Sequence, residues 1–368
     1  MHPAPTSLPL PHKQSLVAQT LTVLKEQIRT GVWLSYLPSE RRICELLRVS
    51  RVTLRAALAQ LEREGLVAPG EGRRRKIAAE GKQKVAVSPS GRVVLLTPEP
   101  LHVLPPFVMY WVDNLRENLS EAGFHLEVHL QRACYGSGAN RALEEVAQQT
   151  RPAAWVLYRS TAAMQEWLSR RGVPCVITGS HHSGIALPSV DLDHRALCRH
   201  AAGLLLARGH RRLVLISPKN GLAGDLASEE GFREGAEASR IAGVEALVGH
   251  HDGSRESLCN RLQELLGRSS PPTGFLVSGS KSALTALCFL MDKGRKLPQE
   301  AALISRNHDS FLEEVVPTMA HYSCDPTLFA RKISRTVLRL VQGDVAQPMA
   351  VRVMPRFVPG ETLGRAAR

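Results

Sequence analysis

The sequence predicts a multidomain protein: a small, basic α+β unit of three helices and a hairpin, then a larger α/β unit of two lobes. Three observations predict it. At 368 residues the chain exceeds one ordinary domain. Charge is uneven, with residues 1–92 holding 16 lysines and arginines against 7 acidic residues, a net of +9, while the remaining 276 residues carry only +4. Beyond residue 92, short apolar runs alternate with amphipathic stretches, as in parallel sheets flanked by helices.

The opening "MHPAPTSLPLPHKQ" carries four prolines and reads as a disordered tail over 1–12. It has no basic segment leading into an apolar stretch, so no signal peptide is expected. From Lys13 to Gly31, Val17, Leu21, Leu24 and Ile28 recur at helical spacing. Ser39 follows Pro38 and can cap a second helix whose first turn holds Glu40, with Ile43, Leu46 and Leu47 facing inward. Ser50 caps a third helix, in which Leu54, Ala57, Leu58 and Leu61 form a buried stripe. Opposite that stripe lie Val52, Arg55, Ala56 and Ala59, with Arg51 near its edge. Short side chains admit a close partner, and arginine forks onto phosphates or guanine edges. A helix N-terminus also points free N–H groups at phosphate. Gly65 stops the helix, Leu66-Val67 begins a short strand, and "APGEGRRRKI" supplies a basic turn and a returning strand. Residues 13–78 thus read as a winged helix-turn-helix whose anionic partner is double-stranded DNA.

The stretch "LPSERRICELLRVSRVTLRAALAQLEREGLV" resembles the winged helix-turn-helix of the GntR-type bacterial transcription regulators. The resemblance implies that Arg41, Arg51 and Arg55 contact DNA backbone and bases. It places Ser50 and Thr53 on phosphate, and Gly72 with Arg73 at a wing tip in the minor groove. Val52 stands where that family often has threonine, which leaves base preference at this DNA-facing position open.

Residues 79–91 are polar and lack periodicity, as expected of a linker. Strands follow at "RVVLLT", "FHLEVHL", "AAWVLYR", "PCVITG", "RRLVLIS", "VEALVGH", "GFLVSG" and "AALISRN". Helices are expected over Val112–Ala122 and Ala139–Gln149, in "TAAMQEWLSRRG", from Asp193 to Arg208, near Glu230, and at about 254–267 and 281–295. Doubly wound sheets bind ligands beyond the carboxyl ends of their strands, and two lobes enclose a cleft between them. Candidate cleft groups therefore sit after the strands: Tyr158, Arg159 and Ser160; Gly179 to His182, with Ser180 among them; Ser278 to Lys281; and Arg306 to Asp309.

"DHRALCRHAAGLLLARGHRRLVLIS", "EEGFREGAE" and "ALTALCFLMDKGRKLPQEAALISRNHDS" resemble the effector domain of LacI/GalR-type repressors, a periplasmic-binding-protein-like fold, over about 92–325. This implies a homodimer and a small-molecule effector in the cleft, usually a sugar or sugar derivative. It implies that Arg233, in "GFREG", grips ligand hydroxyls. Asn307 falls where the family has a ligand-binding aspartate, and Gly279 and Ser280 where it has Asn-Asp. Tyr158, Arg159, Ser180, Ser280, Arg306, Asn307 and Asp309 complete the expected effector set. Two readings stay open: an effector-switched repressor, or a repressor whose cleft has degenerated and which is constitutive or controlled by a partner protein.

Motifs of other classes were sought. The chain has no G-x-G-x-x-G after a strand, no phosphate-binding G-x-x-x-x-G-K-[ST], no G-x-S-x-G elbow and no H-E-x-x-H. No catalytic residue, no cofactor and no metal site is expected; the adjacent pairs His181-His182 and His250-His251, which invite a metal reading, point to different sides. Seven scattered cysteines without a C-x-x-C pair point to a reducing compartment, the cytoplasm. No 18-residue apolar run exists, so no membrane partner is expected.

Overall fold

The computed structural model describes residues 15–29, 36–68, 75, 77, 91–343 and 350–364. The chain divides into two compact units, Met1–Ala86 and Val87–Arg368. The tail expected over 1–12, the linker over 79–90 and the wing tip with Gly72 and Arg73 lie outside the described residues.

In the first unit, helices α1 (Leu16–Arg29), α2 (Glu40–Leu47) and α3 (Arg51–Arg63) enclose a core of Leu24, Ile43, Leu54, Ala57, Leu58 and Leu61. Both expected caps form: Ser39 Oγ accepts the Arg42 N–H at 3.3 Å, and Ser50 Oγ accepts the Thr53 N–H at 3.1 Å. Arg48 ends α2 in the left-handed region, at φ 51°, which turns the chain sharply into α3. Leu46 is a correction, since it is 53% exposed: Ile43, Cys44 and Leu47 turn toward the core, and Leu46 falls on the outer side of this two-turn helix. Val67 pairs antiparallel with Ile77, closing the base of the hairpin.

The second unit holds two six-stranded sheets. The first has order β11-β5-β4-β3-β1-β2, from β1 (Arg92–Thr97), β2 (His125–Leu130), β3 (Ala154–Tyr158), β4 (Cys175–Thr178), β5 (Ser189–Leu192) and β11 (Ala350–Val353). The second has order β12-β10-β9-β8-β6-β7, from β6 (Arg212–Pro218), β7 (Glu245–His251), β8 (Gly274–Val277), β9 (Ala302–Ser305), β10 (Ala320–Ser323) and β12 (Arg356–Val358). Every pairing is parallel except β10 with β12. Helices cover both faces of each sheet: α4 (Pro106–Glu121), α5 (Ala139–Thr150) and α6 (Ala162–Arg171) in the first lobe, and α7 (His194–Ala207), α8 (Ala223–Glu237), α9 (Arg255–Leu266) and α10 (Ser280–Asp292) in the second. Central strands are buried on both sides, so Val93–Leu96 and Leu213–Ile216 read as unbroken apolar runs.

Several elements depart from the sequence reading: the short strands β5, β10, β11 and β12 and helix α11 (Pro326–Val341) are not among the expected elements, and α4 starts early. Helix α4 begins at Pro106 rather than Val112, because proline at the first helical position leaves no N–H unsatisfied and Val108 and Trp111 are buried beneath it. Helix α11 follows the second sheet in sequence but packs Phe329, Ala330, Ile333 and Val337 into the core of the first lobe. The chain therefore crosses between lobes after β5, after β10 and again between β11 and β12. Helices α7 and α8 meet backbone to backbone: a Cβ added to Gly231 would stand 2.1 Å from the Arg195 carbonyl oxygen, and one on Gly235 2.6 Å from that of Arg199.

Candidate nucleic-acid interface and ligand cleft

On α3, the face opposite the core stripe is open. Arg51, Val52, Arg55, Ala56 and Ala59 are all exposed, Val52 by 80%. Val52 therefore contributes nothing to the unit's own core. Arg51 makes no hydrogen bond or ion pair with the other described residues, whereas Arg55 is held by Glu40 at 3.0 Å. Glu40 also accepts Arg75 Nη1 at 2.6 Å, and Arg75 Nε reaches Glu62 at 2.7 Å. Hydrogen bonds from Arg75 and then Arg55 keep the Glu40 carboxyl below its ordinary range despite partial burial. Arg75, two residues before the bridge residue Ile77, is thus tied to α2 and α3, and Arg55 is held by the same carboxylate. Neither Glu40's bridging role nor Arg75 is visible in sequence spacing. Ser50 and Thr53 hydroxyls lie 2.8 Å apart at the start of α3, and Arg41 is exposed beside Glu45 at 3.1 Å. Arg41, Ser50, Arg51, Val52, Thr53 and Arg55 thus gather on α2 and the first turns of α3.

The second unit has a cavity of about 690 Å³ between its sheets, at the carboxyl ends of their parallel strands. One wall is aromatic: Phe107 lies 5.4 Å and Trp111 6.0 Å from Phe329, and Trp111 lies 6.3 Å from Tyr158, between ring centres. Facing groups are polar. Ser180 Oγ donates to Asp191 Oδ2 at 2.6 Å, and His194 Nε2 lies 3.5 Å from Asp191 Oδ1. Burial pushes the Asp191 carboxyl up, but the His194 imidazole, the Ser180 hydroxyl and the Leu192 N–H outweigh it, and the group sits below its ordinary value. Across the cavity, Arg306 Nη1 donates to Asp225 Oδ1 and to Ser228 Oγ, each at 2.7 Å. Four buried polar atoms on lining residues have no partner: His194 Nδ1, His251 Nε2, Ser278 Oγ and Arg306 Nε. Burial also lowers the His251 imidazole below its ordinary value. Unpaired buried donors and acceptors are costly, so their convergence on one cavity marks a place where a polar ligand or water completes the bonding.

The expected effector residues divide. Tyr158, Arg159, Ser180, Ser280, Arg306 and Asn307 come together around the cavity. Asp309 lies one layer behind, 3.4 Å from Ser280 Oγ. Arg233 is corrected: it lies on the outer face of α8, half exposed and beside Glu229 at 3.4 Å, because Gly231 and Gly235 turn the adjoining face of this helix onto α7. The buried guanidinium at the cavity belongs to Arg306. Asn307 Oδ1 accepts the Gly279 N–H at 2.9 Å, with Gly279 at φ 88°, a region glycine enters freely. Two of the three residues that depart from the family pattern, Asn307 and Gly279, therefore pair with each other, leaving the Asn307 amide NH₂ for a ligand. Sequence reasoning missed the aromatic wall, Asp191, His194, Asp225 and His251.

Comparison with known proteins follows these lines. Residues 16–75 match the model of bacterial regulatory proteins of the gntR family, and residues 202–363 that of the periplasmic binding protein-like domain. The HTH-type transcriptional regulator CelR of Thermobifida fusca is 25% identical over 189 residues, half of this chain and 55% of that protein. AglR of Rhizobium meliloti is 29% identical over 153 residues, 41% of this chain and 42% of that one. The transcriptional repressor PurR of Escherichia coli is 26% identical over 192 residues, 51% of this chain and 55% of that one. The chain spans about half the length of the curated relatives it matches. Among solved structures, a CelR–cellobiose complex superposes with a TM-score of 0.65 at 20% identity, covering 95% of this chain and all of that one. CcpA of Lactococcus lactis gives 0.64 at 16%, covering 74% and 98%. These likenesses are of fold. Among the described residues, no helix is long and apolar enough to cross a membrane.

Proposed function

From a chain that joins a gntR-family DNA-binding unit to a periplasmic-binding-protein-like domain, we propose a transcription regulator, a repressor, whose grip on operator DNA is switched by a small molecule in the cleft. The head spans 13–78, the linker 79–91 and the effector-binding body 92–368. Arg41, Arg51, Arg55, Ser50 and Thr53 hold backbone and base edges, with Val52 against the groove floor and Gly72 and Arg73 at the wing. The protein acts in the cytoplasm as a homodimer, each head on one half-site of a near-palindromic operator.

The cleft carries the effector reading: an aromatic cluster and four residues with buried, unpaired polar atoms line one cavity. Apolar ring faces beside hydrogen-bonding hydroxyl positions are the chemistry of a carbohydrate, and the cellobiose bound by CelR, with the same fold, agrees. Ligand switches the protein only by binding one state of the body better than the other, by a few kcal/mol for full switching. A thermal-shift screen of the full-length protein against sugars, sugar acids, sugar phosphates and glycosides tests it. Ligand at about 100-fold above its dissociation constant should stabilise by roughly 2.7 kcal/mol. A blank screen, with a known sugar-binding protein responding in the same plate, would turn the reading to a repressor with a degenerate cleft that is constitutive or controlled by a partner protein.

A further inference from the structure

We propose that His308, Glu313 and His321 form a site for a divalent transition metal, zinc being the simplest fit, between the loop after β9 and strand β10 of the second lobe's sheet. The parallel pairing of β9 with β10 sets His321 level with Ser305, and the chain leaving β9 through Arg306 and Asn307 returns His308 over it. The two imidazoles stack with ring centres 4.9 Å apart and planes inclined by 29°. His308 Nδ1 stands 3.0 Å from His321 Nε2, and Glu313 Oε1 stands 3.7 Å from the same Nε2. All three donor atoms lie within 4.8 Å of one another.

The proton positions favour metal. His321 Nδ1 lies 2.9 Å from the Met319 carbonyl oxygen, which can only accept, so Nδ1 carries the proton and Nε2 presents its lone pair to the cluster. A backbone carbonyl on the far nitrogen of a histidine is the usual way a ligating ring is oriented. Without metal, His308 donates its Nδ1–H to that lone pair. With metal, His308 moves its proton to Nε2 and both rings offer lone pairs, with no change in net charge. Zinc–nitrogen bonds of about 2.0–2.1 Å place tetrahedral donors about 3.3 Å apart. The separations of 3.0 and 3.7 Å bracket that spacing. His321 is 1% exposed and fixed, whereas Glu313 is 58% exposed and free to swing inward. Two histidines and a carboxylate leave one position for water, as in open zinc sites. His308 also lines the ligand cavity, so metal and effector can sense one another through this ring. The histidine pairs noted in the sequence, His181-His182 and His250-His251, take no part.

The test is a zinc chloride titration of chelator-stripped, untagged full-length protein by calorimetry, repeated with cobalt(II) to read its visible absorption. The parent should bind one tight equivalent per chain and give the intense absorption of a four-coordinate cobalt site. His308→Ala and Glu313→Gln should each weaken zinc by at least about 100-fold, beyond the 10- to 100-fold that outer-sphere partners contribute. Both should abolish the cobalt band; Glu313→Gln, at an exposed position, should melt like the parent in chelator, which separates a lost ligand from a lost fold, whereas His308→Ala should melt somewhat lower because it removes the hydrogen-bond donor to buried His321 Nε2. Absence of a tight equivalent in the parent overturns the proposal, as does a tight equivalent that survives both substitutions.

Discussion

Arg306→Ala tests the electrostatic organisation of the cleft most sharply. Arg306 and Asp225 are each 11% exposed and 2.7 Å apart, and the same Arg306 nitrogen also serves Ser228. Removing the guanidinium leaves a buried carboxylate without its cation, a change that costs about 3–5 kcal/mol in closed interiors. This pair borders an open cavity that can admit water, so the lower end, about 3 kcal/mol, is expected. For a unit of this size each kcal/mol lowers the melting temperature by roughly 2 °C, giving a fall of about 6 °C. Intrinsic fluorescence is the assay, because Trp111, Trp155 and Trp167 all lie in the second unit. Replacing both partners, Arg306→Met with Asp225→Met, should recover much of the loss, since apolar substitutes remove the stranded charge. An Arg306→Ala protein melting within about one degree of the parent would refute the idea that this pair is buried and mutually dependent.

Other outcomes follow from single contacts. Arg51→Ala should weaken operator binding by about 1–3 kcal/mol and flatten its salt dependence without moving the melting temperature, because Arg51 has no partner among the described residues; gel-shift titration at several salt concentrations checks this. Gly231→Ala should destabilise the body by about 1–3 kcal/mol or more, since its Cβ would meet the Arg195 carbonyl, whereas Gly203→Ala on the exposed face of α7 has open space and should stabilise by about 0.5–1 kcal/mol. Like signs for the two in urea unfolding would sink the close-packing argument. Burial holds the imidazoles of His182, His210 and His251 below the ordinary 6.5. The unfolded chain therefore takes up protons first, so stability is complete above pH 6.5 and falls as pH drops below it. His210→Gln should reduce that slope as pH falls below 6.5, and an unchanged slope would remove His210 from the effect.

The head was almost wholly legible because its signals are local. Caps at Ser39 and Ser50, the stripe through Leu61 and the arginine face of α3 all follow from spacings within a few residues. Leu46 misleads because periodicity marks a face but not how wide its neighbour is. In the body the alternation of strands and helices was legible, and so were the strand-end loops that form the cleft. Arg233 misled because a resemblance names a residue type near glycines, and here those glycines serve the α7–α8 contact.

By itself, then, the sequence determined eight of the twelve described strands, the two-unit architecture, the exposed arginine face of α3 and the strand-end loops that line the cavity, but not β5, β10, β11, β12 or α11. Only the tertiary structure decided which residues meet. Glu40 finds Arg75 across 35 positions and Arg306 finds Asp225 across 81. Helix α11 returns to seal the first lobe and lends Phe329 to the aromatic wall. His308, Glu313 and His321 converge through sheet register and a turn. The physical reason is one of range: backbone periodicity and capping are set within a turn or two of the chain, whereas a pair of side chains meets only after the sheets have fixed their register.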